Sequence, residues 1–368
     1  MIAQGESTAD TNGAAGASAA APSFYRTRSQ TRSIRPEFTG SAAEYFRIWI
    51  VNLFFTLITC GVYSAWAKVR KKRYLYGSTR LDGDTFDYFG NPKSILKGRI
   101  IAIVLFIVYA FAAELYPDSR YAFWGIAVLL FPWLIVRALS FNARNSAYRG
   151  LRFDFPATGN EAAKVYIGKL AVAVLTLGFG FPWFMARQKA FVVSHHAFGA
   201  ARFHCELSGR QFFGIYARSA LMLFVVGTAV GILYAVAIPA LTAFDSLHWL
   251  VWLVPAAVMY AGYAVAYAYV QARTTNLLWT NTSGPGFEFE SSLSAKKLVR
   301  LYFGNILAVA CSAGLLIPWA VIRTLRYRLE NLSITIDDEF THTASLALPP
   351  VGATGQELGD LFNLDLGI

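Results

Sequence analysis

The sequence predicts a polytopic α-helical membrane protein with a threefold internal repeat: two transmembrane hairpins, three re-entrant or interfacial segments and short cytoplasmic β-strands. Three observations lead there. Only 15% of the 368 residues are charged and the mean hydropathy is +0.42, against roughly 25% charged in soluble domains. Apolar runs recur that are long enough to enter or cross a hydrocarbon core of roughly 30 Å. A spaced Gly, Trp and Arg appear three times, as Gly61–Trp66–Arg70, Gly178–Trp183–Arg187 and Gly314–Trp319–Arg323.

The register extends backwards. A polar side chain precedes each Trp at one fixed distance (Asn52, Lys169, Asn305), and an aromatic precedes that (Trp49, Tyr166, Tyr302). Such alignment across three copies is the mark of an internal repeat.

Taken in order, residues 1–34 read as a disordered tail, because Ala, Gly, Ser and Thr dominate and no apolar h-region is present. Residues 35–97 hold repeat 1, whose apolar segment runs from about Ile48 to Trp66, with Lys68, Arg70, Lys71, Lys72 and Arg73 at its end. Phe86-Asp87-Tyr88 alternates like a short strand. Residues 98–140 are a hairpin turning at Tyr116–Ser119. Residues 141–213 are repeat 2, with Phe153-Asp154-Phe155 and Phe203-His204-Cys205 as strand-like pieces around a segment from Leu170 to Ala186. Residues 214–270 are a second hairpin turning between Pro239 and Ser246. Residues 271–341 are repeat 3, with Phe287-Glu288-Phe289, a segment from Ile306 to Ile322, and Ser333–Ile336; residues 342–368 are a tail.

Charge decides between topologies. Seven simple spans would divide the 33 Lys and Arg almost evenly between the two faces. If only the two hairpins cross and the three repeat segments turn back, every Lys and Arg except Arg120 lies on one face. Positive charge in short loops concentrates on the cytoplasmic side, so the second arrangement is expected, with both termini cytoplasmic. Each repeat segment has a weak helical point at Thr59-Cys60-Gly61, Thr176-Leu177-Gly178 or Ser312-Ala313-Gly314. Pro182 and Pro318 disfavour helix just before them. Low amphipathicity argues against a purely surface helix.

With these residues in view, the chain resembles the YjgN family of bacterial inner-membrane proteins, a domain of unknown function. The carrying residues run from Phe38 through Tyr45, Trp49 and Asn52, then Thr59-Cys60-Gly61-Val62-Tyr63-Ser64-Ala65-Trp66, then Arg70 to Arg73. The family has Pro where this chain has Ala65. The resemblance covers most of residues 36–341. It implies a multi-pass inner-membrane protein and brings no catalytic residues with it.

Candidate chemistry is sparse. The Trp–Arg pairs (Trp66 and Arg70, Trp183 and Arg187, Trp319 and Arg323) suit a lipid phosphate or another anion, since guanidinium forks onto phosphate; membrane anchoring by aromatic belt and positive charge is the commoner use of such pairs and the preferred reading. The intramembrane slot of Asn52, Lys169 and Asn305 reads either as a pathway or as interhelical hydrogen bonding. His195, His196, His204 and Cys205 fit no zinc spacing, Glu114 and Asp245 lie near the external turns, and the three cysteines (Cys60, Cys205, Cys311) suggest no disulfide framework. No metal and no cofactor is expected. No nucleophile–base pair, phosphate loop or carboxylate pair argues for an enzyme, and no motif argues for nucleic acid. The expected partner is a bilayer with anionic headgroups. The expected function is transport or handling of a small solute or lipid; the alternative is a non-enzymatic scaffold that binds anionic lipid or a partner protein through its basic cytoplasmic face.

Overall fold

The computed structural model describes residues 31–241 and 250–337. Most of both predicted tails, and within the second hairpin's turn the residues from 242 to 246 with Asp245 among them, lie outside those residues.

The elements follow in chain order. They are β1 (Arg32–Ile34), β2 (Glu37–Phe38), α1 (Ala42–Ile58), α2 (Ser64–Gly77), β3 (Thr79–Leu81), β4 (Asp84–Tyr88), α3 (Pro92–Leu115), α4 (Ser119–Arg144), β5 (Ser146–Tyr148) and β6 (Leu151–Asp154). Next come α5 (Gly159–Ala163), a π-helical turn (Lys164–Lys169), α6 (Leu170–Leu175), α7 (Phe181–Ser194), β7 (Ala197–Phe198), β8 (Ala201–Arg202) and β9 (His204–Cys205). The chain continues with α8 (Gly209–Leu241), α9 (Leu250–Thr280), β10 (Thr282–Gly284), β11 (Phe287–Ser291), α10 (Ala295–Cys311), α11 (Ile317–Glu330) and β12 (Leu332–Ile336). Helices α3, α4, α8 and α9 are long and apolar enough to cross a bilayer.

Strand pairing explains how the helices are organised. One sheet runs β1-β12-β11-β10-β9 and the other β2-β3-β4-β5-β6-β7-β8. Each helical excursion lies between two strands that pair antiparallel: α1–α2 between β2 and β3, α3–α4 between β4 and β5, α5–α7 between β6 and β7, α8–α9 between β9 and β10, and α10–α11 between β11 and β12. Every excursion therefore leaves the strand layer and returns to it. Neighbouring helices pack in sequence, and α11 packs on α1.

The two sheets are continuous along the chain at both ends, through Arg35-Pro36 and through Phe203. Their strands surround one core of Ile34, Leu81, Tyr148, Phe198, Phe287 and Ile334. Asp82-Gly83 and Arg149-Gly150 close two of the strand pairs with positive φ at both residues, the backbone that two-residue hairpins require. Within the core the Tyr148 hydroxyl donates to the Leu81 carbonyl at 2.7 Å, so a buried polar group is satisfied rather than orphaned. Side chains fill the ring of strands.

The three motif-bearing segments are each broken, and each break uses the same bonds. Cys60 and Gly61 have φ of 47° and 92°, Leu177 and Gly178 of 53° and 90°, and Ala313 and Gly314 of 49° and 91°. The glycine N–H reaches back to Thr56, Ala173 or Val309 at 2.8–2.9 Å, the closing bond of a helix terminated in left-handed backbone. The hydroxyl of Thr59, Thr176 or Ser312 then accepts from the N–H of Tyr63, Gly180 or Leu316 at 2.9–3.0 Å. That bond caps a donor that the returning helix would leave open. The returning helices α2, α7 and α11 are each 14 residues long.

Some boundaries differ from expectation. Helix α1 starts at Ala42 rather than near Ile48, because the Ser41 hydroxyl accepts from the Glu44 N–H and caps it there. Trp66, Trp183 and Trp319 belong to the returning helices instead of ending the outgoing ones. Phe155 lies beyond β6, where it packs into a separate core with Phe191 and Tyr166. Helix α10 starts at Ala295, well before the predicted segment at Ile306, and this added part is amphipathic: it buries Leu298, Leu301 and Asn305 while Lys296, Lys297 and Arg300 are exposed.

Candidate functional site

The third unit holds a cleft. It measures about 540 Å³ and lies between α10, α11 and the first residue of α1, Ala42. Lys297 and Arg300 face it from α10, Trp319, Arg323 and Arg326 from α11, and Glu330 sits at its edge. Four cations against one carboxylate give the cleft a positive potential suited to an anion.

Local sequence explains the cluster. Trp319, Arg323 and Arg326 are spaced to share one face of α11, as Lys297 and Arg300 do on α10. Arg323 is held in place. It donates to the Asn305 side-chain oxygen at 3.3 Å and lies 5.0 Å from the Trp319 ring centre. Gly304 leaves room for this: a Cβ there would come within 3.1 Å of the guanidinium. Asn305 is buried and donates to the Ala320 carbonyl at 3.3 Å and the Thr324 hydroxyl at 3.0 Å. Arg326 donates to the Gly40 carbonyl at 3.2 Å, tying the cleft to the α1 entrance.

Unit one repeats the plan. Asn52 donates to the Ala67 carbonyl at 3.4 Å, and its oxygen is buried with no hydrogen-bond partner. Tyr74 and Tyr327 clamp the bases of the two hairpins. Each accepts from the N–H of the residue capping the outgoing helix and donates to that residue's carbonyl, Ser41 or Ser294. A concavity of about 220 Å³ lies beside α2, lined by Tyr63, Trp66, Val69, Arg70, Arg73 and Pro92.

The structure thus brings Trp319 with Arg323, and Trp66 with Arg70, each to a concave surface. It places Asn52 and Asn305 between the two helices of a hairpin. Lys169 lies over the Trp183 ring at 4.5 Å, and Arg187 is exposed on α7. His195 and His196 each bond through Nδ1 to a backbone carbonyl, and His204 faces Glu206 at 3.5 Å. Glu114 is exposed near the α3–α4 turn. Among the described residues no His, Cys, Asp or Glu cluster has the geometry for a metal. Sequence reading missed Arg73, Lys297, Arg300 and Arg326. The signal was present as a second arginine three residues beyond the first in units one and three, which puts both on the tryptophan's face.

Residues 33–361 match a family described as bacterial protein of unknown function, DUF898. The chain is 28% identical over 126 residues to the inner membrane protein YjgN of Salmonella typhimurium, a match covering 34% of this chain and 32% of that one. It is 33% identical over 124 residues to the YjgN of Escherichia coli K12, covering 32% of this chain and 30% of that one. The matched stretches are thus under two thirds of either relative's length. No solved structure matches the chain.

Proposed function

We propose that this chain, which belongs to the DUF898 family of bacterial proteins and is YjgN-like, is an inner-membrane protein that handles anionic lipid by holding the headgroup in the cleft of its third unit. The observation that carries this reading is the 540 Å³ cleft with Lys297, Arg300, Arg323 and Arg326 around it. Above the cations, α10 exposes Phe303 and Leu307, spaced from Arg300 along one side of the helix, so an acyl chain has an apolar track leading from the headgroup. Trp319 between them suits the membrane interface.

In this reading the strand layer is cytoplasmic, two hairpins span the bilayer, and the three broken hairpins enter and return. Their tips support it: Leu57, Leu177 and Leu315 are 69%, 91% and 50% exposed, surfaces that belong in hydrocarbon. The cations lie toward the strand layer, as positive charge on the cytoplasmic side requires. The filled strand core and the hydrogen bonds that hold Asn305 between α10 and α11 favour lipid handling over solute conduction. A scaffold that docks on membrane charge is the second reading, favoured by the exposed Arg70, Lys71 and Arg73 on α2.

The test is lipid retention by the purified protein, measured by native mass spectrometry with phosphatidylglycerol against phosphatidylcholine. The double variant Lys297→Gln, Arg300→Gln removes two exposed cations that make no hydrogen bond or ion pair among the described residues. It should weaken phosphatidylglycerol binding at this cleft about tenfold, the loss expected for a charge-assisted contact, and leave the melting temperature unchanged. Equal retention of both lipids, or no response to the double variant, would reject the reading.

A further inference from the structure

We infer that the protein carries a second phosphate-binding site in unit one, made by the arginine face of α2 and the N-terminus of α3, and that unit two holds the same position in a filled form. The inference rests on the lipid reading above and extends it.

The position is defined by geometry common to three places. The returning helix of each broken hairpin meets the first residue of another helix: α11 meets Ala42 of α1 and α2 meets Pro92 of α3, each across a concavity, while α7 meets Gly209 of α8. In unit one Arg70 and Arg73 stand three residues apart on α2, with Trp66 on the same face. Trp66 is stacked on Tyr63, ring centres 6.2 Å apart and planes at 12°. Across the gap α3 begins at Pro92, capped by Asn91, whose side chain accepts from the Lys93 N–H. Helix α3 is 24 residues long; Pro92 has no N–H and the Lys93, Ser94 and Ile95 N–H groups are bonded to Asn91, so its end offers an anion the positive pole of the helix dipole, and the donors are left to the arginines. Arg73 is anchored through Nε, which donates to the Tyr88 carbonyl at 3.3 Å. Arg70 is exposed and has no protein hydrogen bond among the described residues, so its fork remains available. A volume of 220 Å³ equals that of about seven waters, enough for a phosphodiester but less than half the third unit's cleft.

Unit two shows what removes the site. The residue in register with Arg73 and Arg326 is Ala190, which packs into a core with Met185, Phe212 and Leu278. Trp183 lies directly on Gly209: a Cβ on that glycine would sit 2.4 Å from the indole. The indole therefore fills the space that is open in the other two units, and the Lys169 ammonium covers the ring.

The ligand chemistry is a phosphate ester, supplied by a lipid headgroup or by a soluble phosphate. The test counts bound ligands by native mass spectrometry on the intact protein, with phosphatidylglycerol in one arm and glycerol phosphate in the other. Wild type should retain two phosphatidylglycerols. Arg70→Gln should retain one, as should the Lys297→Gln, Arg300→Gln variant, and all three changes together should retain none. Arg70→Lys, which keeps charge but loses the fork, should fall between wild type and Arg70→Gln in affinity. Glycerol phosphate bound in the same count would identify a soluble ester as the source. A single lipid that Arg70→Gln leaves in place and the third-unit variant removes would overturn the second site while sparing the first. Absence of any retained phosphate ester would overturn both. The melting temperature of Arg70→Gln, expected to equal wild type, separates lost binding from lost folding.

Discussion

Units two and three start from one register and use it differently. In unit three Asn305 reaches across the hairpin to Ala320 and Thr324, and Arg323 is drawn in to satisfy its oxygen. The tryptophan and both arginines are left facing a cleft. In unit two the slot carries Lys169, which cannot accept a hydrogen bond; it turns to the tryptophan instead, and the tryptophan closes on Gly209. A π-helical turn at Lys164–Lys169 interrupts the outgoing helix there. The tip is unaffected, with the same φ pair and the same bonds in both. Turn geometry and surface chemistry therefore vary independently within one repeating frame. The tip depends on glycine and a hydroxyl, whereas the cleft depends on which side chains face the next helix.

The largest expected effect sharpens the contrast at the polar slot. Asn305→Ala removes three half-buried hydrogen bonds and releases Arg323, so it should cost about 3 kcal/mol, while Asn52→Ala, with one long bond and an oxygen already unpartnered, should cost about 1 kcal/mol. Equal melting shifts for the two would show that the slot works alike in both units. Next in size, Gly209→Ala forces the Trp183 indole away from α8 and should cost about 2 kcal/mol, as overpacking does. Intrinsic tryptophan fluorescence should shift as the ring moves. An unchanged melting temperature would show that the second unit is not closed by this contact.

The smallest effect concerns pH at the end of α7. Burial pushes the His196 imidazole below its usual value, with a smaller contribution of the same sign from His195, and the bond to the Val192 carbonyl opposes both. The folded state therefore binds this proton less readily than the unfolded state. Stability from the neutral ring is complete above the unfolded value of about 6.5 and declines as pH falls below it. His196→Asn should flatten the melting-temperature profile between about pH 6.5 and 5. A profile identical to wild type would remove His196 from the acid response.

Much of the frame was legible in the residues. The Gly–Trp–Arg spacing located all three breaks, since a left-handed residue pair needs glycine at its second position and little else in an apolar run tolerates it. Alternation at Phe86-Asp87-Tyr88 and Phe287-Glu288-Phe289 located strands. The Ser41, Thr158 and Ser294 positions that start the outgoing helices share the register too, but lie outside the apolar runs and were overlooked. The Lys297 and Arg300 contribution to the cleft was not legible, because those residues read as a solvated helix end until α10 folds back on α11.

Sequence by itself determined the apolar character and the places where the chain stops being helical. These are local properties, set by side-chain hydration and by the φ values a residue tolerates. Only the tertiary structure decided that β1 pairs with β12, that the strands enclose one core, and which helix N-terminus each tryptophan meets. Those outcomes depend on contacts between residues far apart in the chain, whose partners no local pattern names. That is why Trp183 and Trp319, alike in spacing, end one against a glycine and the other over an open cleft.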